Sequence, residues 1–480
     1  MSGYKHGVYI LERPTALLPP RRIAAGLPVV VGTAPVHTVA GPVNQPRLIY
    51  GYREFVETFG FDQDFGAYTL CEFARVFFTL YNLAPAVFIN VLDPARHRGT
   101  VSEAEKTFVE GRITLEHTYP QEPALTSQDG ATTYQEGTDY TLDAAEGVVT
   151  RLESGAIGAG DTVKVSYHYV DPAAVTPDEV IGGVDADTGV KSGLELVSEV
   201  FPRFRLVPGQ IVAPGWSQYP AVAAVMAAKA EGINGCFKAV AVVDVPVAGE
   251  GAPGLYSQVP AWTQEHNYTD RQMVVCWPKV TLGGAEHWLS SHLAGLMCRT
   301  DSEHGDVPHK SPSNEPLVVD GVAPVAGREV WLGPEEGAYL NGQGVVTALN
   351  FDGGWKAWGN RTGAYPGSSE VKDTFLPIRR MFNWVGNTLV LTWWQRLDFP
   401  VTRRAIETMV DSANVWLNGL AAREIILGGR VEFRADENPV SEVMDGVVRL
   451  HVYLTPPSPA RELDFILEYD PAYLQSLFNA

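Results

Sequence analysis

Positive charge is in short supply in this sequence. Its 480 residues hold 36 Lys and Arg against 56 Asp and Glu, a formal net charge of −20. Nonspecific nucleic-acid binding needs a basic face that displaces counterions from phosphates, so that class of partner is excluded. Cysteine is scarcer still: Cys71, Cys236, Cys276 and Cys298 are scattered, with no CxxC pair. That pattern supplies neither a zinc site nor a disulfide framework, and it predicts reduced, mostly buried thiols. No run of about 18 apolar residues is present, so no membrane insertion is expected. The opening "MSGYKHGVYILERPT" lacks the basic start, apolar run and small-residue cleavage site of a secretory signal. A protein made and kept in a cytoplasm is the expectation.

Assembled catalytic motifs are missing too. The densest polar cluster, "RTDSEHGDVPHKSPSNEP", offers Asp301, Glu303, His304, Asp306 and His309. It lacks the His-Glu-x-x-His spacing that sets two imidazoles one helical turn apart, and Gly305 with Pro308 predicts a solvated loop. "LNGQGVVTALNFDGGWKAWGN" is glycine-rich, yet it has no GxxxxGK[ST], and no third glycine follows Gly342 and Gly344 as a dinucleotide fingerprint requires. "PGWSQ" carries only the first glycine of a GxSxG elbow. Asp62 with Asp64, and Asp185 with Asp187, read as acidic surface loops. Trp355 with Trp358, and Trp393 with Trp394, read as core or interface packing rather than stacking platforms for sugars or bases. No catalytic residue, metal ligand or cofactor site is assigned.

What is present is a long, ordinary globular composition, 45% hydrophobic and 19% charged, of a length that suggests about three domains at roughly 150 residues each. "AGLPVVVGTAP" predicts a short buried strand. "YTLCEFARVFFTL" (68–80) predicts a helix, and "APAVFINVLDP" a second buried strand, which together give an α/β rhythm. Between residues 95 and 173 the rhythm breaks into short alternating strands separated by Gly and Asp turns, as in "TTYQEGTDYTLDAAEGVVTRLESGAIGAGDTVKVSYHYVDP". The α/β pattern resumes in "FRLVPGQIVAPGW", the helix "YPAVAAVMAAKAEG" and the apolar strands "FKAVAVVDVP" and "RQMVVCWPKV". The β-rich module therefore reads as an insertion. Beyond residue 361, "DTFLPIRRMFNWVGNTLVLTWWQRL" and "TRRAIETMVDSANVWLNGLAARE" predict two long helices, the second capped by Thr402, before the strands in "GGRVEFRADENP" and "GVVRLHVYLTPP". The fold class is thus a multidomain α/β and α+β chain. It divides into an amino-terminal arm (1–22), an α/β core (23–94 with 174–360), an inserted β-rich domain (95–173), a C-terminal α+β domain (361–460) and a C-terminal arm (461–480).

Both arms carry strand-grade sequence with no evident place to pair. Val8, Tyr9, Ile10 and Leu11 precede prolines at 14, 19 and 20. Leu463, Phe465, Ile466, Leu467 and Tyr469 form a half-alternating apolar run close to the C-terminus. Chain ends fray unless a sheet or a docked element holds them, so such sequence implies a partner.

In their order along the chain, several segments resemble the tail sheath proteins of contractile bacteriophage tails and related injection machines. They are "YKHGVYILERP", "VVVGTAPVHTVAGPVNQPRLIYGYREFVETFG", "VPGQIVAPGWSQYPAVAAVMAAKAE" with "FKAVAVVDVP", and "HKSPSNEPLVVDGV", "YLNGQGVVTALNFDGGWKAWGNRT" and "DTFLPIRRMFNWV". The resemblance implies a non-enzymatic virion subunit, synthesised in the host bacterial cytoplasm. It implies polymerisation with copies of itself into stacked hexameric rings around a tail tube protein, in company with baseplate and tail terminator proteins. It implies that the two arms add strands to sheets of neighbouring subunits, and that a metastable extended sheath contracts to drive the tube through the host envelope. It also implies a tube-facing surface on the C-terminal domain, for which Arg403 and Arg404 are the candidate contacts. The insertion departs most from compact members and reads as an outward decoration. Two other readings stay open at this level: an α/β enzyme of unknown reaction, and a glycan- or surface-binding module carried by the insertion.

Overall fold

A computed structural model describes residues 25–477, with side chains described through Leu474. Val8, Tyr9, Ile10 and Leu11 lie outside the described residues. The chain enters the core as β1 (Pro28–Gly32), five buried residues whose Val-rich sequence suits a strand covered on both faces. After β2 (Arg47–Ile49), α1 (Tyr52–Phe59) and α2 (Thr69–Ala74) comes β3 (Ala86–Asn90). The helix expected over 68–80 is present, but its second half, Arg75–Leu80, widens into a π-helical turn. Phe73, Phe77 and Phe78 of this stretch gather around Phe88 of β3.

The chain then leaves the core for seven strands: β4 (Arg98–Thr107), β5 (Arg112–Thr114), β6 (Gln121–Ser127), β7 (Thr133–Tyr134), β8 (Tyr140–Asp143), β9 (Val148–Arg151) and β10 (Thr162–Val170). They form two sheets, ordered β4-β10-β6-β7 and β5-β9-β8. Alternate residues of both sheets, among them Ile113, Leu125, Val149, Val163 and Val165, make a hydrophobic cluster separate from that of the rest of the chain. The stem is pinned. Asp171 N–H donates to the carbonyl of His97 at 2.9 Å, and the buried His97 ring bridges Asp93 N–H (2.9 Å) and Glu179 Oε1 (2.7 Å). Because Nδ1 accepts from a backbone N–H, the ring proton sits on Nε2 and points at the carboxylate.

The return path runs through α3 (Pro177–Ile181), the ribbon β11 (Gly183–Val184) with β12 (Lys191–Ser192), and α4 (Val197–Phe204). It re-enters the sheet as β13 (Gln210–Val212), α5 (Pro220–Glu231), β14 (Val240–Asp244), α6 (Val259–Glu265) and β15 (Met273–Cys276). A small ribbon of β16 (Val280–Leu282), β17 (Ala285–His287) and, later, β18 (Gly321–Val322) flanks α7 (Leu289–Glu303). After α8 (Pro334–Asn341), β19 (Val345–Asn350) and β20 (Trp355–Trp358) complete an eight-stranded sheet of order β2-β3-β1-β13-β14-β15-β19-β20. The six inner strands are parallel, and β2 and β20 close the edges antiparallel. The solvated loop expected over 299–316 starts late, because residues 299–303 form the end of α7, and Asp301 is buried there, not solvated.

The C-terminal part is α9 (Val371–Thr374), α10 (Leu376–Trp393), α11 (Arg403–Ala422), β21 (Gly428–Glu432), α12 (Val440–Met444) and β22 (His451–Thr455). Thr402 caps α11 as expected, its Oγ1 accepting from Ala405 N–H at 3.2 Å. α10 is bound to the α/β core along much of its length. Asn383 donates to the carbonyl of Ala239 and to Gln272 Oε1, Asn387 clasps both backbone groups of Lys238, and Arg380 meets Asp301 of α7 with both side chains buried. Leu376, Met381, Trp384 and Leu417 accordingly belong to the same hydrophobic cluster as β1 and β14.

Candidate functional site

In an open parallel sheet, ligands bind outside the carboxyl ends of the strands where the strand order reverses, here between β1 and β13. That crevice is filled by protein. A Cβ on Gly32 would lie 2.3 Å from Thr69 Oγ1, and one on Gly215 would lie 2.9 Å from Thr69 Cγ2. Thr33 and Thr69 bind each other through hydroxyl and backbone, with Thr69 N–H donating to Thr33 Oγ1 at 3.2 Å. One strand further, Asp244 and Glu72 are both consumed by the start of α7. Asp244 accepts from Ser290 N–H (3.0 Å), from the Ser290 hydroxyl and from Ser217 Oγ (3.2 Å), while Glu72 accepts from Trp288 N–H (3.0 Å) and Ser291 Oγ (2.6 Å). Burial pushes the Glu72 carboxyl up to about 8 and that of Asp244 to about 6. His287 Nδ1 and His292 Nε2 share a hydrogen bond of 2.9 Å beside them. Burial lowers these imidazoles to about 4 and about 3. These perturbed groups knit a helix end to the sheet. Among the described residues no group of three or more His, Cys, Asp or Glu is placed to hold a metal ion.

Several other residues singled out in the sequence are engaged in local contacts. Ser217 serves Asp244, Asp301 serves Arg380, and His304 with His309 stack edge to face at 5.6 Å. Asp185 and Asp64 accept from nearby backbone N–H groups of their own turns.

The unusual surface is at the other end of the chain. After β22 the backbone passes Pro456, Pro457 and Pro459, and residues 459–462 wall a cleft of about 490 Å³ against Ser313, Trp358 and Arg361. Beyond it, residues 463–470 are exposed and make no regular structure until the 3-10 turn Pro471–Leu477. The expected strand at 463–469 is therefore not a strand of this chain. Phe465, Ile466 and Leu467 are 87%, 91% and 94% exposed, and Leu463 and Tyr469 project likewise. Apolar area of that kind is costly to leave in water.

Close in sequence lies a sheet of only two strands, β21 and β22, paired antiparallel with Val431 opposite Val452 and Arg430 opposite Tyr453. Its inner face, Val431, Val452 and Leu454, packs with Leu417 of α11 in the main cluster. Its outer face is polar and aromatic: the Arg430 guanidinium lies 3.8 Å from the Tyr453 ring centroid and 2.6 Å from Glu432, and the His451 ring lies tilted against Tyr453 at 4.4 Å. Arg403 and Arg404 stand exposed at the start of α11, Arg403 bonded to Glu407 at 2.7 Å. The loop before them exposes Trp394, Leu397 and Phe399. Unpaired strand edges, an exposed apolar arm and an apolar loop are surfaces of the kind that strand addition buries.

Comparison with known proteins decides the assembly. Over 487 aligned residues, 99% of each chain, the sequence is 30% identical to the tail sheath protein of Burkholderia phage BcepMu. The chain belongs to the tail sheath protein family. A putative prophage major tail sheath protein of Pseudomonas aeruginosa is 25% identical over 375 residues, 75% of this chain and 89% of that one. The fold of this sheath subunit is similar to the sheath of an extracellular contractile injection system in its contracted state (TM-score 0.59, 13% identity, 98% of this chain and 99% of that one). It is also similar to the helical sheath of the anti-feeding prophage in its contracted state (TM-score 0.58, 16% identity, 97% and 99%). No family model matches the sequence. The role of the chain is that of a structural subunit of a tail sheath.

Proposed function

We propose that this subunit polymerises with copies of itself into stacked hexameric rings around a tail tube and that the polymer contracts to push the tube through the host envelope. The role is structural rather than catalytic, and the working event is a change of state of the lattice. The observation that carries the reading is the exposed, unpaired run Leu463–Tyr469 in a chain that also carries a sheet of only two strands. Strand exchange satisfies both: the run becomes a strand in a neighbour's sheet, and the amino-terminal run Val8–Leu11 does the same. Backbone pairing of this kind persists while subunits rotate as bodies, so neighbours stay linked through contraction.

In this reading the chain divides into arms (1–22 and 461–480), an α/β core (23–94 with 174–360), an outward decoration (95–173) and an inner sheath domain (361–460) that carries the tube contact. Baseplate and terminator proteins bound the polymer at its two ends. Family membership and the similarity to solved sheath assemblies support this arrangement.

Negative-stain imaging and light scattering of the purified full chain test the proposal, alongside a variant lacking residues 463–480 and one lacking 1–20. The full chain should form cylinders or rings. Each truncated chain should remain a soluble particle of subunit size with its melting temperature within a few degrees of the full chain, since the lost contacts are intermolecular. Truncated chains that build full cylinders, or that unfold well below the full chain, refute strand exchange.

A further inference from the structure

The sheet of β21 and β22 has two outer edges, and they are not equivalent. Asn414 of α11 lies along the β21 edge, its Oδ1 accepting from Val431 N–H at 2.7 Å and its Nδ2 donating to the Val431 carbonyl at 3.0 Å. One amide side chain thus does what a neighbouring strand's peptide group would do, and it closes that edge at its centre. The same contacts fix the pairing phase. Because Val431 turns its backbone groups outward, its opposite number Val452 belongs to the same non-hydrogen-bonded pair and turns its N–H and carbonyl out along the β22 edge. Two residues on, Leu454 does likewise. Among the described residues no partner meets these groups.

The chain's own arm does not return to cover that edge. An antiparallel return would need a tight turn directly after Thr455, where the sequence instead runs Pro456-Pro457-Ser458-Pro459 and carries the backbone past Trp358 and Arg361 of the α/β core.

We propose that the β22 edge, not the β21 edge, is the acceptor for the Leu463–Tyr469 arm of another copy of this chain, and that the arm enters with Leu463, Phe465, Leu467 and Tyr469 facing α11. This rests on the strand-exchange reading and adds to it an edge and a face. The face follows from the two-residue period of a strand. Leu463, Phe465, Leu467 and Tyr469 extend the apolar side made by Val452 and Leu454. Asp464, Ile466 and Glu468 then share the outer side with Arg430, His451 and Tyr453, where Arg430 is already paired with Glu432 and His451 with Glu437, and both carboxylates stay on the solvent-facing side instead of against a buried helix. A second arm strand in the same sheet has to pair with the free side of the first, so the arms add in sequence.

Disulfide trapping in the assembled polymer tests edge and face together. Cysteine is placed at Asp464, Ile466 or Glu468 in combination with either Tyr453→Cys on β22 or Arg430→Cys on β21, with the full-length wild-type chain as control for its four native thiols. Adjacent strands bring Cβ atoms to about 4.5–5.5 Å, within reach of a disulfide, whereas a strand once removed lies roughly 10 Å away. Oxidation should link copies of the chain through Tyr453→Cys with at least one of the three arm positions, and not through Arg430→Cys. Adding Asn414→Ala should make the Arg430→Cys link appear by opening the second edge. Links to Arg430→Cys while Asn414 is intact overturn the edge assignment, and links to Tyr453→Cys from Phe465→Cys or Leu467→Cys in place of the outer set overturn the face. Cylinders that form with no arm link at either edge refute strand exchange itself.

Discussion

Asp301 near the end of α7 and Arg380 on the first half of α10 meet as a two-pronged ion pair, each side chain 3% exposed, with Arg380 Nη1 3.0 Å from Asp301 Oδ1. The pair joins the α/β core to the C-terminal helices at a point where no water competes. Replacing Arg380 by Ala strands a buried carboxylate and should cost about 3–5 kcal/mol of unfolding free energy. The double variant Asp301→Leu with Arg380→Met should recover much of that loss. Chemical denaturation of the three chains measures both effects, and an Arg380→Ala variant as stable as wild type refutes the argument.

The insertion has its own hydrophobic cluster, and its first and last strands pair at the stem, Arg98 opposite Val170. Replacing residues 99–169 with a short Gly/Ser bridge keeps His97 and its contacts to Asp93 and Glu179. The shortened chain should fold, and should polymerise as the full chain does. If it folds but stays unassembled, the module is part of the contact network and not a decoration.

Reversing charge at the start of α11, with Arg403→Glu and Arg404→Glu together, should leave the denaturant midpoint essentially unchanged, because both side chains stand in solvent and the Arg403–Glu407 pair is exposed. Co-assembly with tube should weaken, more at low salt than at high salt, while sheath-to-sheath contacts persist. Unchanged sedimentation of tube with sheath removes these residues from the contact.

The buried groups around α7 set two opposite pH dependences. His287 and His292 are held neutral well below the ordinary imidazole value, so the unfolded chain binds protons that the folded chain refuses. Their contribution to stability is therefore lost as pH falls from about 6.5 towards about 3 to 4. Glu72 is raised to about 8, so the folded chain holds a proton that the unfolded chain releases, and its contribution declines as pH rises from about 4.5 to about 8. Glu72→Gln keeps an acceptor for Trp288 N–H and Ser291 Oγ and should gain on wild type between pH 5 and pH 8. Denaturant midpoints across that range check the sign, and a stability gap that does not change with pH contradicts it.

Local pattern made the core strands legible. β1, β3, β14 and β15 are unbroken apolar runs ended by Gly, Asn, Asp or Cys before turn residues, and Thr402 announced its helix by the usual capping chemistry. The capping box Thr176 to Glu179 is equally local and marks α3. What the sequence hid was long-range polar pairing. Arg380, Asn383 and Asn387 look like the wet side of an amphipathic helix, yet their partners stand 79 to 149 residues away. Asn414 looks like any helix-surface amide, and only the fold lays it along a strand edge. The Leu463–Tyr469 run was read as a strand from its composition. Among the described residues it pairs with no strand.

The acidic residues inside that exposed run have a consequence for the free subunit before it assembles. A cell filling with unassembled copies holds many identical apolar tails at once, and identical tails are natural templates for stacking in register as a fibril. Stacking would set Asp464 upon Asp464 and Glu468 upon Glu468 along the whole fibril axis, a repulsion that grows with every copy added. These two carboxylates act as gatekeepers. They penalise in-register stacking between tails and so oppose fibril growth from a pool of unassembled subunits.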